Sequence, residues 1–253
     1  MTRIETFRAL HIPGDPLVLF NIWDAGSAKT VAAAGAKAIA TGSYGVACAR
    51  GSSDGENLSL DAALANLGEI LGVTDLPVSI DMEAGYGADA IAVGRSVARA
   101  QAAGAAGINM EDRMPGETAL LAVRDAAARI EAAAATGLFV NARCDVFRGR
   151  DAAVDGNALV TATLERAQAY SDAGAGGLFV PFLADARCIA AICDASPLPV
   201  NILWSPPCGD SAALAALGVA RISHGGGPWR AAMAWLGDQA AAVLGGGVPG
   251  YAA

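Results

Sequence analysis

The sequence predicts a single (β/α)8 barrel of the phosphoenolpyruvate/pyruvate type, and three observations support the barrel. Eight short apolar runs of β type each precede an alanine-rich helical stretch. The runs are continuously apolar, as expected of parallel strands that helices cover. Strict alternation of strands and helices gives a doubly wound sheet or a closed barrel. Eight units in a chain of 253 residues favour the barrel.

The strands are predicted from these apolar runs, taken in chain order. They span Leu17–Trp23, Ala38–Ser43, Pro77–Glu83, Gly107–Asp112, Leu138–Asp145, Gly176–Phe182, Pro199–Trp204 and Val219–Gly225. Several helices end at a glycine that leads into the next strand, which is a common helix terminator. No boundary for a second domain is visible, so we expect one domain over residues 1–253, with residues 245–253 as a loose tail.

Composition excludes several classes of protein. Hydrophobic residues make up 54% of the chain and the formal net charge is −8, so a large core is expected and nucleic acid is not an expected partner. We find neither a secretory signal nor an apolar stretch long enough to cross a bilayer. Five scattered cysteines without a C-x-x-C pair argue against disulfides and zinc, and favour a cytoplasmic location.

Polar residues are concentrated where the predicted strands end, which is where barrel enzymes carry their chemistry. They are Asp24, Ser43, Tyr44, Asp81, Glu83, Glu111, Asp112, Arg143, Asp145, Asn201, Ser223 and His224. The starts of the strands are apolar. This convergence predicts a site at one rim of the barrel.

Three carboxylates at this rim predict a metal site. Asp81 and Glu83 are two residues apart on one predicted strand and would share a face, and Glu111 comes from the next strand. Hard oxygen ligands without His or Cys suit Mg²⁺, with Mn²⁺ as a second possibility. The alternative is a set of ion pairs with nearby arginines and lysines.

Arg143 is the arginine that ends a strand within this cluster, and its planar fork suits a substrate carboxylate. The alternative is a salt bridge to Asp145 or Glu111. Ser43 with the backbone of Tyr44 and Gly45 would form a small anion-binding nest, or an ordinary turn.

Other residues admit two interpretations. Asp54, in a loop, would reach the metal through water or be solvated. Asp24 is expected to cap the helix that follows it, and His224 is an acid/base candidate or a structural residue. Cys144 is expected to face the helices, Cys48 has no base beside it, and Trp23 and Trp204 would wall the pocket or pack.

The segments NIWDAGSA, TGSYGVA, SIDMEAGYG, GINMED and NARCDVF resemble the isocitrate lyase/phosphoenolpyruvate mutase superfamily over residues 21–234. The resemblance implies a dimer or tetramer, often with the last helix exchanged, and C–C or C–P chemistry beside a 2-oxo acid through a Mg²⁺-stabilised enolate. It implies that Asp81 binds the metal directly and that Glu83 and Glu111 act largely through water.

The same resemblance implies that Asp54 lies near metal and substrate, and that Ser43, the Tyr44 and Gly45 backbone, and Arg143 hold the 2-oxo carboxylate. Asp81 and Asn201 are further candidates for substrate contact, and Arg143, Glu111 and Asp54 for catalysis.

The sequence departs from the family pattern after the fourth strand. The residues EDRMPGE replace the K-K-C-G-H motif of the lyases and the Lys and Asn of the mutases, and Pro181 stands where the family has a His. We therefore expect a lyase for a small oxaloacetate- or methylisocitrate-like acid. A phosphonopyruvate hydrolase or phosphonomutase, and a binding barrel with little catalysis, are the alternatives.

Overall fold

The computed structural model describes residues 1–252 and confirms the predicted barrel. Its strands are β1 (Leu17–Leu19), β2 (Ile39–Ala40), β3 (Val78–Asp81), β4 (Gly107–Glu111), β5 (Phe139–Arg143), β6 (Gly177–Val180), β7 (Val200–Leu203) and β8 (Arg221–Ser223). Each lies inside its predicted range. The predicted ranges extend further mainly at their carboxyl ends, because the apolar runs continue into the loops that line the site.

The strands are all parallel and follow one another around the barrel. The hydrogen-bonded order is β1-β8-β7-β6-β5-β4-β3-β2. The ring closes between the ends of that order through a parallel bridge from Ile22 to Thr41. There the Ile22 N–H donates to the Ala40 carbonyl at 2.9 Å and the Gly42 N–H donates to the Ile22 carbonyl at 3.2 Å.

Helices cover the barrel. They are α1 (Arg3–Ala9), α2 (Ala25–Ala33), α3 (Ser43–Ala49), α4 (Leu60–Leu71), α5 (Ala90–Ala102), α6 (Val123–Ala134), α7 (Ala152–Asp172), α8 (Ala186–Ala195), α9 (Ser211–Ala216) and α10 (Gly227–Leu244). Asp24 caps α2 as predicted, since its Oδ1 accepts from the Ser27 N–H at 2.7 Å. Cys144 is fully buried, as the strand alternation predicts.

Two helices were not predicted. Helix α1 begins with a capping box in which Thr2 and Glu5 satisfy each other's backbone N–H groups. Its Phe7 is fully buried in a small cluster with Leu17, Leu19 and Phe139, which covers the barrel at the strand starts. Helix α3 occupies the stretch predicted as a loop after β2. Both helices have seven residues, too short for a clear helical period.

The end of the chain lies beyond α10. Residues 245–251 of the predicted loose tail are mostly exposed, Gly250–Ala252 form a 3-10 turn, and Ala253 lies outside the described residues. Across residues 1–252, no helix has both the length and the apolar character needed to cross a bilayer.

Candidate active site

A cavity of about 660 Å³ opens at the carboxyl ends of the strands. Five of the predicted site residues line it, namely Ser43, Tyr44, Asp54, Asp81 and Arg143. The cavity thus lies at the rim where the sequence predicts a site. The cavity is large enough for a substrate well beyond the size of oxalate.

Asp81 ends β3 and is held by backbone donors. Its Oδ2 accepts from the Ser43 N–H at 3.1 Å, and its Oδ1 accepts from the Glu83 N–H at 3.3 Å. Ser43 is the first residue of α3, so its N–H has no partner within the helix. The predicted anion nest is thus a helix start, and one of its donors already binds Asp81.

Glu83 lies in the turn after β3, at a positive φ of 49°. The alternation argument that paired it with Asp81 therefore does not apply, although both side chains still border the same region. Its Oε2 accepts from the N–H groups of Gly55 and Glu56 at 2.6 and 2.7 Å. A small second cavity of about 10 Å³, with room for about one water, is lined by Asp81 and Glu83.

These carboxylates lie close together without a direct salt bridge to an arginine or lysine among residues 1–252. Burial and then Asp81 raise the pKa of Asp54 and bring the pKa of Glu83 to about 8. Within the described part of the chain, no salt bridge involves Asp54, Asp81 or Glu83. The arrangement therefore favours protonation or a bound cation.

Glu111, the third predicted metal ligand, is in a different situation. Its Oε2 lies 2.5 Å from Nη1 of Arg143. Burial raises its pKa to about 7 against the opposing effect of Arg143. No group of three or more His, Cys, Asp or Glu side chains in residues 1–252 is arranged to hold a metal directly. Asp81, Glu83 and Glu111 are therefore not close enough together here to bind one ion directly as a set of three.

Arg143 is fixed by a second carboxylate. Its Nε donates to Oδ1 of Asp145 at 2.6 Å and its Nη2 donates to Oδ2 at 2.9 Å. Burial lowers the pKa of Arg143, but Glu111 and Asp145 outweigh it and the net pKa is raised. The sequence analysis gave a salt bridge to Asp145 or Glu111 as the alternative to substrate binding, and Arg143 forms both. Two of the five guanidinium N–H groups remain for a substrate carboxylate.

Asp145 is shared by three arginines. Besides Arg143, Arg113 donates to its Oδ2 and Arg148 lies 3.4 Å from the same oxygen. The Asp145 side chain is fully buried, while that of Arg148 is half exposed. Arg113 is thus anchored below the surface and does not line the cavity.

A second buried network holds the short loop after β4. Asp112 accepts from the Tyr170 hydroxyl at 2.7 Å and from Arg166 at 3.1 Å, both on α7. Its Oδ1 also accepts from the Asp145 N–H at 3.0 Å. The loop is thereby joined to the loop after β5, which carries the Arg143 anchor.

Two predicted contact residues do not reach the cavity. Gly45 is buried in α3 between Trp23 and Trp229, whose Cβ atoms would each lie 3.3 Å from a Cβ added at Gly45. Asn201 points into the barrel and exchanges hydrogen bonds with the Ser223 hydroxyl at 3.1 and 3.2 Å. Neither residue lines the cavity in this structure.

The cavity also has lining residues that were not predicted. They include Phe20, Asn109, Arg148, Phe182 and Arg230. Asn109 was detectable as a polar residue inside an apolar strand. The others lie in loops or at a helix start, where no periodic pattern indicates direction. Trp204 and His224 also line the cavity, whereas Trp23 packs beneath it.

The profile of the family described as phosphoenolpyruvate phosphomutase matches residues 7–244. The chain belongs to this family. It is therefore a member of the phosphoenolpyruvate mutase/isocitrate lyase superfamily, as its motifs indicated. The chain is therefore an enzyme of a superfamily whose members act on small carboxylates or phosphonates.

Individual relatives point to different reactions. A crystal structure from Burkholderia cenocepacia J2315, described as a "putative phosphonomutase", shares 46% identity and covers 97% of this chain and 98% of its own, with a TM-score of 0.91. The 2-methylisocitrate lyase of Salmonella typhimurium is 31% identical over 78% of this chain and 68% of its own length. A phosphonopyruvate hydrolase solved with oxalate and Mg²⁺ is 25% identical and covers 98% and 89%, with a TM-score of 0.81.

Proposed function

We propose that this protein is a Mg²⁺-dependent lyase that cleaves a C–C bond beside the 2-oxo or 2-hydroxy carboxylate of a small di- or tricarboxylic acid. The observation that carries the proposal is the juxtaposition, in one cavity, of Asp54 and Asp81, which form no direct salt bridge, with the anchored guanidinium of Arg143. The cavity is therefore suited to bind a cation at the carboxylates and an anion at the adjacent guanidinium. The likeness to 2-methylisocitrate lyase supports this reaction class.

The residues fit a magnesium ion. Mg²⁺ commonly takes one or two carboxylates and keeps several waters, so it does not need three direct protein ligands. Asp81 would bind it directly, with Glu83 and Glu111 acting through water. When bound, the ion stabilises negative charge on the 2-oxo oxygen of the substrate. Mn²⁺ offers the same preference for oxygen and would substitute.

The remaining steps fall to the protein's own side chains. The two unused N–H groups of Arg143, on Nη1 and Nη2, would hold the substrate carboxylate in the plane of the guanidinium. The Tyr44 N–H, in the first turn of α3, would donate to the same end of the substrate. Asp54 lines the cavity together with Asp81 and Arg143. It would exchange a proton with the substrate from its carboxyl group.

C–P chemistry is the second candidate, and a specific observation favours it. The matching family profile is that of a phosphomutase, and two of the relatives described above carry names from phosphonate chemistry. A phosphonopyruvate-like substrate would use the same Arg143 and Asp81 contacts. Phosphorus NMR of incubated phosphonopyruvate would show a new signal under this alternative only.

Pyruvate or glyoxylate release from a panel of 2-oxo and hydroxy di- and tricarboxylates tests the main proposal. We expect turnover of at least one acid that EDTA abolishes and Mg²⁺ restores. Asp81→Asn should abolish it, while Asp61→Asn, at an exposed aspartate that pairs with Arg99, should not. EDTA-insensitive turnover, or turnover that survives Asp81→Asn, would contradict the proposal.

We further propose that the chain forms a homodimer or homotetramer in which α10 is exchanged. Pro228 is the one buried residue of this 18-residue helix, while Trp235, Leu236 and Leu244 are exposed. A helix with apolar exposed positions is expected to pack on another subunit. Light scattering that gives the mass of a single chain would contradict this proposal.

A further inference from the structure

The cavity has an uncharged aromatic wall opposite its charged residues. Around the barrel, β7, β8 and β1 are neighbours, and the residues that follow their ends include Trp204, His224 and Phe20. Asp81, Glu111 and Arg143 end β3, β4 and β5, on the other side of the ring. The two sets of side chains therefore face one another across the mouth of the barrel.

His224 contacts both of the other rings, stacking on Trp204 and lying tilted against Phe20. The imidazole of His224 lies between the Phe20 ring, at 5.3 Å between centroids, and the Trp204 indole, at 5.5 Å. The Trp204 Nε1–H donates to the Gly209 carbonyl at 2.8 Å, so the polar edge of this indole is already satisfied. We call Phe20, His224 and Trp204 the aromatic wall.

Two of these rings expose apolar surface at the cavity. Phe20 is 49% exposed and Trp204 is 38% exposed, although both border a concave site. Such apolar area at a pocket is typical of ligand contact. Of the charged residues after these strands, Arg230 also lines the cavity, but it packs over the Tyr44 ring at 5.2 Å, towards the β2 side.

We propose that the aromatic wall binds a flat apolar substituent of the substrate, such as a phenyl or comparably large planar group, at the end away from the carboxylate held by Arg143. The proposal rests on the proposed function, because it concerns the far end of the same ligand. It extends the substrate class from small acids to acids that carry a ring. The cavity volume of about 660 Å³ accommodates such a molecule.

Calorimetric binding of pyruvate and phenylpyruvate, each with Mg²⁺ present, tests this inference. The two ligands share the 2-oxo acid and differ by the ring. We expect phenylpyruvate to bind roughly tenfold more tightly to the native protein, as stacking of one ring contributes on this order. Trp204→Ala should remove most of that preference and leave pyruvate affinity unchanged.

Two further variants serve as controls for the comparison of ligand affinities. Trp204→Phe retains a ring and should retain the preference. Ile91→Ala removes an exposed apolar side chain on α5 that does not line the cavity, and should change neither affinity. Equal affinity of the native protein for both ligands would overturn the proposed role of the aromatic wall and leave the proposed lyase function intact. Binding of neither ligand would overturn both.

The Trp204→Ala variant also distinguishes a ligand-binding wall from a surface that contacts a second copy of the chain. If Trp204→Ala lowers the mass in light scattering and leaves the ligand preference unchanged, the wall is a subunit contact and the inference is overturned.

Discussion

Arg143 and Asp145 form a two-point ion pair, with Nε to Oδ1 at 2.6 Å and Nη2 to Oδ2 at 2.9 Å. Arg143 is the last residue of β5, and Asp145 lies two residues further along the chain. This local ion pair fixes the orientation of the proposed substrate anchor. Burial acts to raise the pKa of Asp145, but Arg143 and Arg113 outweigh it and the net pKa is lowered. The carboxylate therefore stays ionised and holds its arginines.

Asp145→Asn should destabilise the protein markedly. It removes a buried charge that three arginines share, and breaking a buried pair from one side typically costs about 3–5 kcal/mol of unfolding free energy. Urea denaturation gives the value. The control is Asp125→Asn, which breaks the surface pair with Arg124 and should cost less than about 1 kcal/mol. Equal losses in the two variants would contradict the anchoring role.

Arg143→Lys should weaken binding of oxalate in the presence of Mg²⁺ by roughly tenfold or more, because an ammonium group cannot reproduce the planar fork. Calorimetry measures the change. Arg124→Lys, on the surface of α6, is the matched control and should leave oxalate affinity unchanged. An unaltered affinity in Arg143→Lys would remove this residue from the substrate site.

His11 should make stability depend on pH. Burial, and then Arg221, lower its pKa to about 3, and its Nδ1 lies 2.8 Å from the Phe7 carbonyl oxygen. Between about 3 and the ordinary value of 6.5, the unfolded chain binds the proton and the folded protein does not. The His11 contribution to stability therefore falls as pH falls through this window, by up to about 1.4 kcal/mol per pH unit, while the raised pKa values of Glu83 and Glu111 act in the opposite direction.

Urea denaturation from pH 7 to pH 5 checks this dependence. The free energy of unfolding of His11→Phe, relative to the native protein, should increase as pH falls, because the substituted ring does not titrate. His224→Gln should show a smaller increase, since that histidine is only half-buried. A difference between His11→Phe and the native protein that does not change with pH would assign the acid sensitivity to other groups.

The sequence was sufficient to predict the eight strands, because each is a continuous apolar run before an alanine-rich helix. It did not predict α1, although Thr2 and Glu5 carry a capping-box spacing that is a recognised helix start. Helix α3 lacks such a signal, since its first turn is preceded by Gly42, which makes no side-chain cap.

The site was predicted in part for a similar reason. Strand-end residues such as Asp81 and Arg143 have a direction that the barrel dictates, and both line the cavity. Phe20 and Phe182 lie beyond the strands, and Phe182 adopts a positive φ of 64° that no pattern anticipates. The salt bridges of Arg143 to Glu111 and Asp145 were expected only as an alternative to substrate binding. The charge of an arginine does not by itself show whether it pairs with a carboxylate of the protein or with one of the substrate.

Titration with Mn²⁺, followed by electron paramagnetic resonance, tests the central claim most directly. We predict one Mn²⁺ site per chain that Mg²⁺ displaces. Asp81→Asn should weaken this site by more than about tenfold, whereas Asp61→Asn leaves it intact. A native protein without a specific site, or a site that Asp81→Asn does not alter, would contradict the account.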